Sequence, residues 1–111
     1  MIITNESDLQ RAIVEYANRF PWGKYLHSIP NGATKRMGLM KKNGMRKGVS
    51  DLFLAYPTKR YHGMYIEVKF GNRPLRPEQE EWLDAVDELG YAGAVIRDEA
   101  DIERIFSYYF R

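Results

Sequence analysis

The chain has 111 residues, of which 44% are hydrophobic and 29% are charged, so it can form one compact domain, which we expect to span residues 1–111. Its net charge of +2 and its aromatic content of 14% exclude the disordered class, and no apolar run approaches the ~20 residues of a membrane-spanning helix. The lack of cysteine excludes a disulfide framework and a cysteine-based zinc site. The first ten residues do not resemble a secretory signal. We therefore expect a cytoplasmic protein with no membrane partner.

Hydrophobic periodicity and turn residues predict seven main elements. In chain order they are a helix at residues 5–20, a strand at 24–29, strands at 52–56 and 64–70, a helix from Pro77 to a Gly90 cap, a strand at 91–97 and a last helix capped by Asp98. Residues 33–42 are compatible with a further short, basic helix. The loop at 57–63 is typical of an antiparallel connection, whereas the later strand–helix–strand unit implies a parallel crossover. The expected fold class is therefore α/β, a central mixed β-sheet flanked by helices in the order αβββαβα.

Basic residues are concentrated in the first half of the chain. Between Glu15 and Asp51 there is no acidic residue, but there are eight basic ones: Arg19, Lys24, Lys35, Arg36, Lys41, Lys42, Arg46 and Lys47. Such a segment can present a positive face to nucleic acid. A flexible, solvated loop explains the charge equally well, so charge alone leaves both interpretations open.

Three charged residues lie within two apolar runs, "DLFLAY" and "MYIEVKF". Alternation along the second run puts Glu67 and Lys69 on one face, and Ile66 and Val68 on the other. If the two runs pair as a hairpin, Asp51 approaches Glu67 side by side. Two adjacent carboxylates repel unless a cation lies between them, and Mg²⁺ is a hard ion that accepts one or two carboxylates together with water and phosphate oxygens. The pattern therefore favours a metal site that acts on phosphate.

Each part of this pattern also has a purely structural interpretation. Glu67 and Lys69 could form a surface ion pair, which would stabilise the fold by less than about 1 kcal/mol. Asp51 could be a turn residue whose side chain bonds to the local backbone. The apolar sequence on both sides of the charges argues against these interpretations, because unpaired buried charges are costly.

Four stretches match the motifs of a known family, both in their sequence and in their order along the chain. They are "HSIPNGATKR", "GVSDLFLA", "YIEVKFG" and "LRPEQEEWL", and together they lie within a similarity that runs from Glu6 to about Ile96. This sequence resembles the VRR-NUC (virus-type replication-repair nuclease) domain, which is part of the PD-(D/E)xK nuclease superfamily. The resemblance implies a restriction-endonuclease-like core, in agreement with the order of elements above.

The resemblance also implies roles for individual residues. Asp51 and Glu67 would be metal ligands together with the backbone carbonyl of Val68, and the metal would be Mg²⁺ or Mn²⁺. Lys69 would be the catalytic lysine that positions or deprotonates the attacking water. These four residues would form the centre of the active site.

Two further catalytic residues are implied in the flanking helices. Glu6 would match the acidic residue of the first helix, and Gln79 the glutamine that reaches back toward the lysine or the phosphate. Both extend the apolar stripe of their helix, which directs them inward, although helix capping remains an alternative for each. The chain departs from the family pattern at Ser50, Phe70 and Arg76, which stand where proline, glycine and serine are usual.

The expected function is that of a metal-dependent DNA endonuclease acting on structured or branched DNA, with Holliday-junction-like substrates foremost. The residues expected to bind the nucleic acid are Lys35, Arg36, Lys41, Lys42, Arg46 and Lys47. We expect a homodimer, with the aromatic residues 108–110 buried against the partner. The alternatives are a non-catalytic nucleic-acid-binding module with the same fold and a protein-interaction domain, of which the second explains neither the charged cluster nor the basic segment.

Overall fold

The computed structural model describes residues 1–30 and 42–111. The short helix predicted at 33–42 falls almost entirely outside the described residues, as do Lys35, Arg36 and Lys41. Within the described ranges, none of the helices has the length and apolar character needed to cross a membrane.

The described elements follow the predicted order. They are α1 (Glu6–Ala17), a 3₁₀ helix (Pro21–Tyr25), β1 (Leu26–Ser28), β2 (Leu52–Leu54), β3 (Met64–Val68), α2 (Pro77–Glu88), β4 (Ala92–Ile96) and α3 (Glu99–Phe110). The first helix ends three residues earlier than predicted, because Pro21 disfavours a helical conformation at Phe20, which is extended instead. The 3₁₀ helix takes up the start of the predicted strand at 24–29 and shortens it to three residues.

The strands form one four-stranded sheet in the order β1-β2-β3-β4. The pairs β1–β2 and β2–β3 are antiparallel, whereas β3 and β4 are parallel and α2 connects them. Gly90 ends the α2 region with a φ of +94°, a conformation in which glycine is preferred. The mixed sheet, the antiparallel hairpin and the parallel crossover are therefore confirmed.

The main hydrophobic core lies between the sheet and the helices α1 and α3. Its fully buried members include Leu9 and Ile13 of α1, Phe106 of α3, and Ile66 of β3. Each such side chain contributes about 1.5–3 kcal/mol through its removal from water. The residues that alternate with Ile66 along β3 point to the opposite face of the sheet, which α2 covers. One face of this strand therefore belongs to the apolar core, and the other carries Glu67.

The C-terminal aromatic residues pack mainly within their own chain. Tyr109 is 1% exposed, and its hydroxyl donates a hydrogen bond to the carbonyl of Tyr56. The ring of Phe110 lies 4.7 Å from that of Trp22, centroid to centroid. The expectation that a partner buries these residues was therefore wrong for Tyr109, which its own chain covers, whereas Phe110 is only partly buried and Tyr108 stays 47% exposed.

Candidate metal centre

The hairpin formed by β2 and β3 brings two carboxylates together. Leu52 pairs with Ile66 in the antiparallel register, so the preceding Asp51 lies beside Glu67. Its Oδ2 atom accepts a hydrogen bond of 2.8 Å from the backbone N–H of Val68. The N–H and C=O of a strand residue point to the same side, so we expect the Val68 carbonyl near Asp51 as well. The proximity of Asp51 to Glu67, expected from the hairpin, is confirmed.

Glu67 is the most unusual member of this group, because its side chain is buried and only 2% of the residue is exposed. Burial, and then the charge of the neighbouring Asp51, raise the pKa of Glu67 to about 8, while Lys69 and Arg76 oppose the shift. Its Oε1 atom accepts a hydrogen bond, but its buried Oε2 has no hydrogen-bond partner among the described residues. An unpartnered, buried carboxylate oxygen is costly without a cation.

Gln79 connects the start of α2 to Glu67. Its Nε2 donates to Glu67 Oε1 at 2.9 Å, and its Oε1 accepts from the backbone N–H of Arg76 at 2.9 Å. The two interpretations of Gln79 are thus compatible, because one end of the amide caps the helix and the other end orients the carboxylate. The contact that the structure shows is to Glu67, whereas the sequence resemblance pointed to the lysine or the phosphate.

Lys69 follows β3 and is only 5% exposed. Its backbone N–H donates to the carbonyl of Ile96 at 3.0 Å, which extends the ladder with β4 and fixes the backbone at this position. Its charge lowers the pKa of Glu67, so the amine is close enough to act on that carboxylate. A buried lysine beside paired carboxylates can hold water or phosphate oxygens by hydrogen bonds.

Glu6 lies in the first turn of α1 and pairs with Arg73, whose Nη1 is 2.6 Å from the Glu6 carboxylate. The N-cap of this helix is Asn5, whose side chain accepts from the N–H of Asp8 at 2.8 Å. The capping alternative for Glu6 was therefore wrong. Its role at the metal stays a prediction, since the contact that the structure gives is to Arg73.

Three of the six basic residues that were predicted to bind nucleic acid lie within the described ranges. Lys42, Arg46 and Lys47 are all exposed, and Lys47 is 4.0 Å from Glu78 at the start of α2. These exposed cations, Lys47 among them, are available to a ligand.

The close packing of Gly48 holds the loop at residues 42–48, here called the basic loop, against α2. Its φ is +89°, and a Cβ at this position would lie 2.4 Å from the carbonyl oxygen of Glu78. Gly44 also has a positive φ, of +102°, but a Cβ there meets no atom of the described residues within 4 Å. A comparison of the two glycines therefore distinguishes the effect of the positive φ, which both share, from the effect of close packing, which only Gly48 has.

We expect Gly48→Ala to lower the free energy of unfolding more than Gly44→Ala does. Both substitutions cost about 1–2 kcal/mol through the positive φ, and the steric overlap adds about 1–3 kcal/mol at Gly48 alone. Urea denaturation of the two variants measures the difference. Equal losses would mean that the contact between Gly48 and α2 is not tight in solution.

The donor set fits a hard divalent cation. Two carboxylates and a backbone carbonyl agree with the way Mg²⁺ is bound, by one or two protein carboxylates with water and phosphate completing the shell. The described residues contain no group of three or more aspartate, glutamate, histidine or cysteine side chains arranged around one metal position. Substrate and water would have to supply the remaining ligands, and Glu67 Oε2 is the protein atom that most needs such a cation.

Three contacts near this site had no clear signal in the sequence. Glu78 interacts with both Lys47 and Arg76, and Arg73 pairs with Glu6. An acidic residue in a first helical turn is usually explained by the helix dipole, so Glu78 did not stand out. Arg73 lies in an irregular loop, where spacing carries no information about long-range contacts.

Comparisons with known proteins identify the family and agree with the fold. The model of the VRR-NUC domain family matches residues 4–99. A solved structure described as a VRR_NUC domain protein has a similar fold, with a TM-score of 0.85 and 23% sequence identity, over 98% of this chain and 90% of that chain. No curated protein sequence matches the chain. The family match covers most of the chain and includes every residue of the centre described above, so this chain belongs to the VRR-NUC family of nucleases.

Proposed function

We propose that the chain is a metal-dependent DNA endonuclease that hydrolyses phosphodiester bonds in structured DNA. The observation that carries the proposal is the group formed by Asp51, Glu67, Lys69 and Gln79, in which a buried carboxylate oxygen has no partner among the described residues. Such a group is expensive for folding alone, since a well-packed apolar cluster would be more stable. Its cost is understandable if the site binds a cation and a phosphate.

Asp51, Glu67 and the carbonyl of Val68 would hold Mg²⁺ or Mn²⁺. When bound, the metal would neutralise the paired carboxylates and act as a Lewis acid on the phosphate. Gln79 fixes the orientation of Glu67 through its 2.9 Å hydrogen bond. Asp51 is fixed in the same way by the N–H of Val68.

Lys69 would act on the nucleophile and on the developing charge. Its amine can orient a water molecule for in-line attack on phosphorus, and it can donate to the phosphate oxygens as they gain charge. In the reaction one P–O bond forms to the water oxygen and the P–O bond to the leaving sugar oxygen breaks. The water loses one proton and the leaving oxygen gains one, so the reaction is balanced.

The finer parts of the proposal concern substrate and assembly. We propose Holliday-junction-like DNA as the preferred substrate and a homodimer as the active form, since two sites related by symmetry suit paired incisions in a four-way junction. The basic loop supports DNA binding through phosphate contacts, which carry no sequence information. The lack of cysteine is compatible with the cytoplasmic location that we propose, and the similarity over 98% of the chain with a solved structure is compatible with a single domain.

A cleavage panel tests the proposal directly. Labelled four-way junctions, flaps and duplexes are incubated with the protein in Mg²⁺, in Mn²⁺ and in EDTA, and cleavage is expected only with metal. Asp51→Asn should abolish it, whereas Asp84→Asn, an exposed aspartate of α2, should leave it unchanged. If the protein binds DNA but cuts none of the substrates in either metal, it is the non-catalytic binding module instead.

A further inference from the structure

Two cations at the start of α2 share one carboxylate oxygen. Arg76 Nε is 3.5 Å from Glu78 Oε1, and Lys47 Nζ is 4.0 Å from the same atom. The side chains of Arg76 and Lys47 are 65% and 75% exposed, whereas that of Glu78 is 27% exposed. The positive groups therefore face solvent, and the carboxylate lies beneath them.

This cluster is connected to the candidate metal centre by two hydrogen bonds. The N–H of Arg76 donates to Gln79, and Gln79 donates to Glu67, each at 2.9 Å. On the other side, the close approach of Gly48 to the Glu78 backbone holds the Lys47 backbone near the start of α2.

Arg76 is a poor residue for this position if folding is its only role. It occupies the N-cap of α2, where serine, threonine, aspartate and asparagine are preferred. A cation at a helix N-terminus also opposes the helix dipole. A residue that conflicts with its local structure is typical of a functional site.

We propose that Lys47 and Arg76 form a subsite for a DNA backbone phosphate adjacent to the scissile one, and that Glu78 keeps the two cations together until DNA binds. The subsite rests on the proposed function, because it places its phosphate relative to the metal centre. Arginine matches phosphate with a planar fork of donors, and the N-terminus of α2 adds a favourable field. Exposed ion pairs contribute little stability, so the exchange of Glu78 for a phosphate is inexpensive.

Arg76→Ser separates this role from a structural one. Serine would complete a capping box with Gln79, so the stability of the fold should stay equal or rise. DNA affinity should fall, and the slope of log affinity against log salt should decrease by about 0.9 for the lost phosphate contact. Between 50 and 200 mM salt, the ratio of wild-type to variant affinity should therefore shrink by about three- to four-fold. Fluorescence anisotropy with a labelled four-way junction in EDTA measures the slope, and thermal melting measures the stability.

Arg104→Ser is the matched control. The Arg104 side chain is also 65% exposed and also pairs with an acidic residue, Asp101, but it lies on α3, which packs with α1 against the other face of the sheet. It should leave the salt slope unchanged. Glu78→Gln should tighten DNA binding, because it removes the anion that competes with phosphate; weaker binding would overturn the role given to Glu78.

The outcomes separate this inference from the proposed function. An unchanged salt slope for Arg76→Ser, in a protein that cleaves DNA with Mg²⁺, overturns the subsite and leaves the nuclease in place. A reduced slope in a protein that binds DNA but cleaves nothing keeps Lys47 and Arg76 as a phosphate-binding pair, but it overturns both the nuclease activity and the placement of that phosphate beside a scissile one.

Discussion

Lys69→Met should lower the rate of DNA cleavage by about 10²–10⁴-fold, the range typical of a group that handles the proton or the charge of the transition state. Methionine keeps most of the volume of the lysine stem and leaves no large cavity at a residue that is only 5% exposed. It removes the amine that would orient water and stabilise the phosphate. The loss should therefore appear in the rate of single-turnover cleavage and not in the melting temperature.

DNA binding distinguishes catalysis from a simple loss of charge. Lys69→Met should bind a four-way junction nearly as well as the wild type does, because in the proposed complex the exposed cations would supply most of the phosphate contacts. Lys59→Met, at an exposed lysine of the loop between β2 and β3, is the control for a general effect of one positive charge. If Lys69→Met cleaves at the rate of Lys59→Met, the amine has no catalytic role.

The charged residues at the end of β3 show how far the sequence could predict the site. Strict alternation places Glu67 and Lys69 on the face opposite Ile66 and Val68, so their shared face follows from the order of the residues alone. The antiparallel hairpin then fixed the neighbour of Glu67, because strand pairing leaves Asp51 few other positions. Local rules were sufficient here since the whole arrangement lies within one hairpin.

The contacts made by long side chains could not be predicted in the same way. Glu78 contacts Lys47, which is 31 positions earlier in the sequence, and Glu6 contacts Arg73, which is 67 positions later. Neither distance follows from helical or strand periodicity, because both depend on how irregular loops return to a helix end. The prediction for the C-terminal aromatic residues failed for a related reason. Their apolar character predicts that they are buried, but it does not say which surface buries them.

The metal-free protein should lose stability as the pH rises from about 4.5 to about 8. The pKa of Glu67 is about 8 in the folded chain against an ordinary value of 4.5, so in this interval the folded state keeps a proton that the unfolded state releases. A state that binds more protons is favoured at low pH, and the folded state therefore loses this advantage as the pH rises through the interval. Each kcal/mol lost lowers the melting temperature by about 4–8 °C for a domain near this size. Thermal melting in EDTA across this interval measures the effect.

Glu67→Gln should remove this pH dependence and the nuclease activity together. The amide oxygen of the new side chain can still accept from Gln79 Nε2, so the hydrogen bond of 2.9 Å is retained while the charge is lost. At pH 8.5 in EDTA the variant should therefore melt higher than the wild type, and added Mg²⁺ should raise the melting temperature of the wild type more than that of the variant. Cleavage should fall by more than the about 10–100-fold that loss of a metal's outer-shell partner costs.

An exposed glutamate of α2 provides the control for Glu67→Gln. Glu81→Gln makes the same change of charge on the same side of the sheet, and it should keep both the activity and the pH dependence of the wild type. If the melting temperature of metal-free wild type does not change between pH 5 and about pH 8, Glu67 does not hold a proton in the folded chain. If it does fall and Mg²⁺ at pH 8 restores it, the carboxylate that destabilises the empty fold is the one that binds the metal. The cost of keeping Glu67 in a buried strand then has its physical explanation in the chemistry of the site.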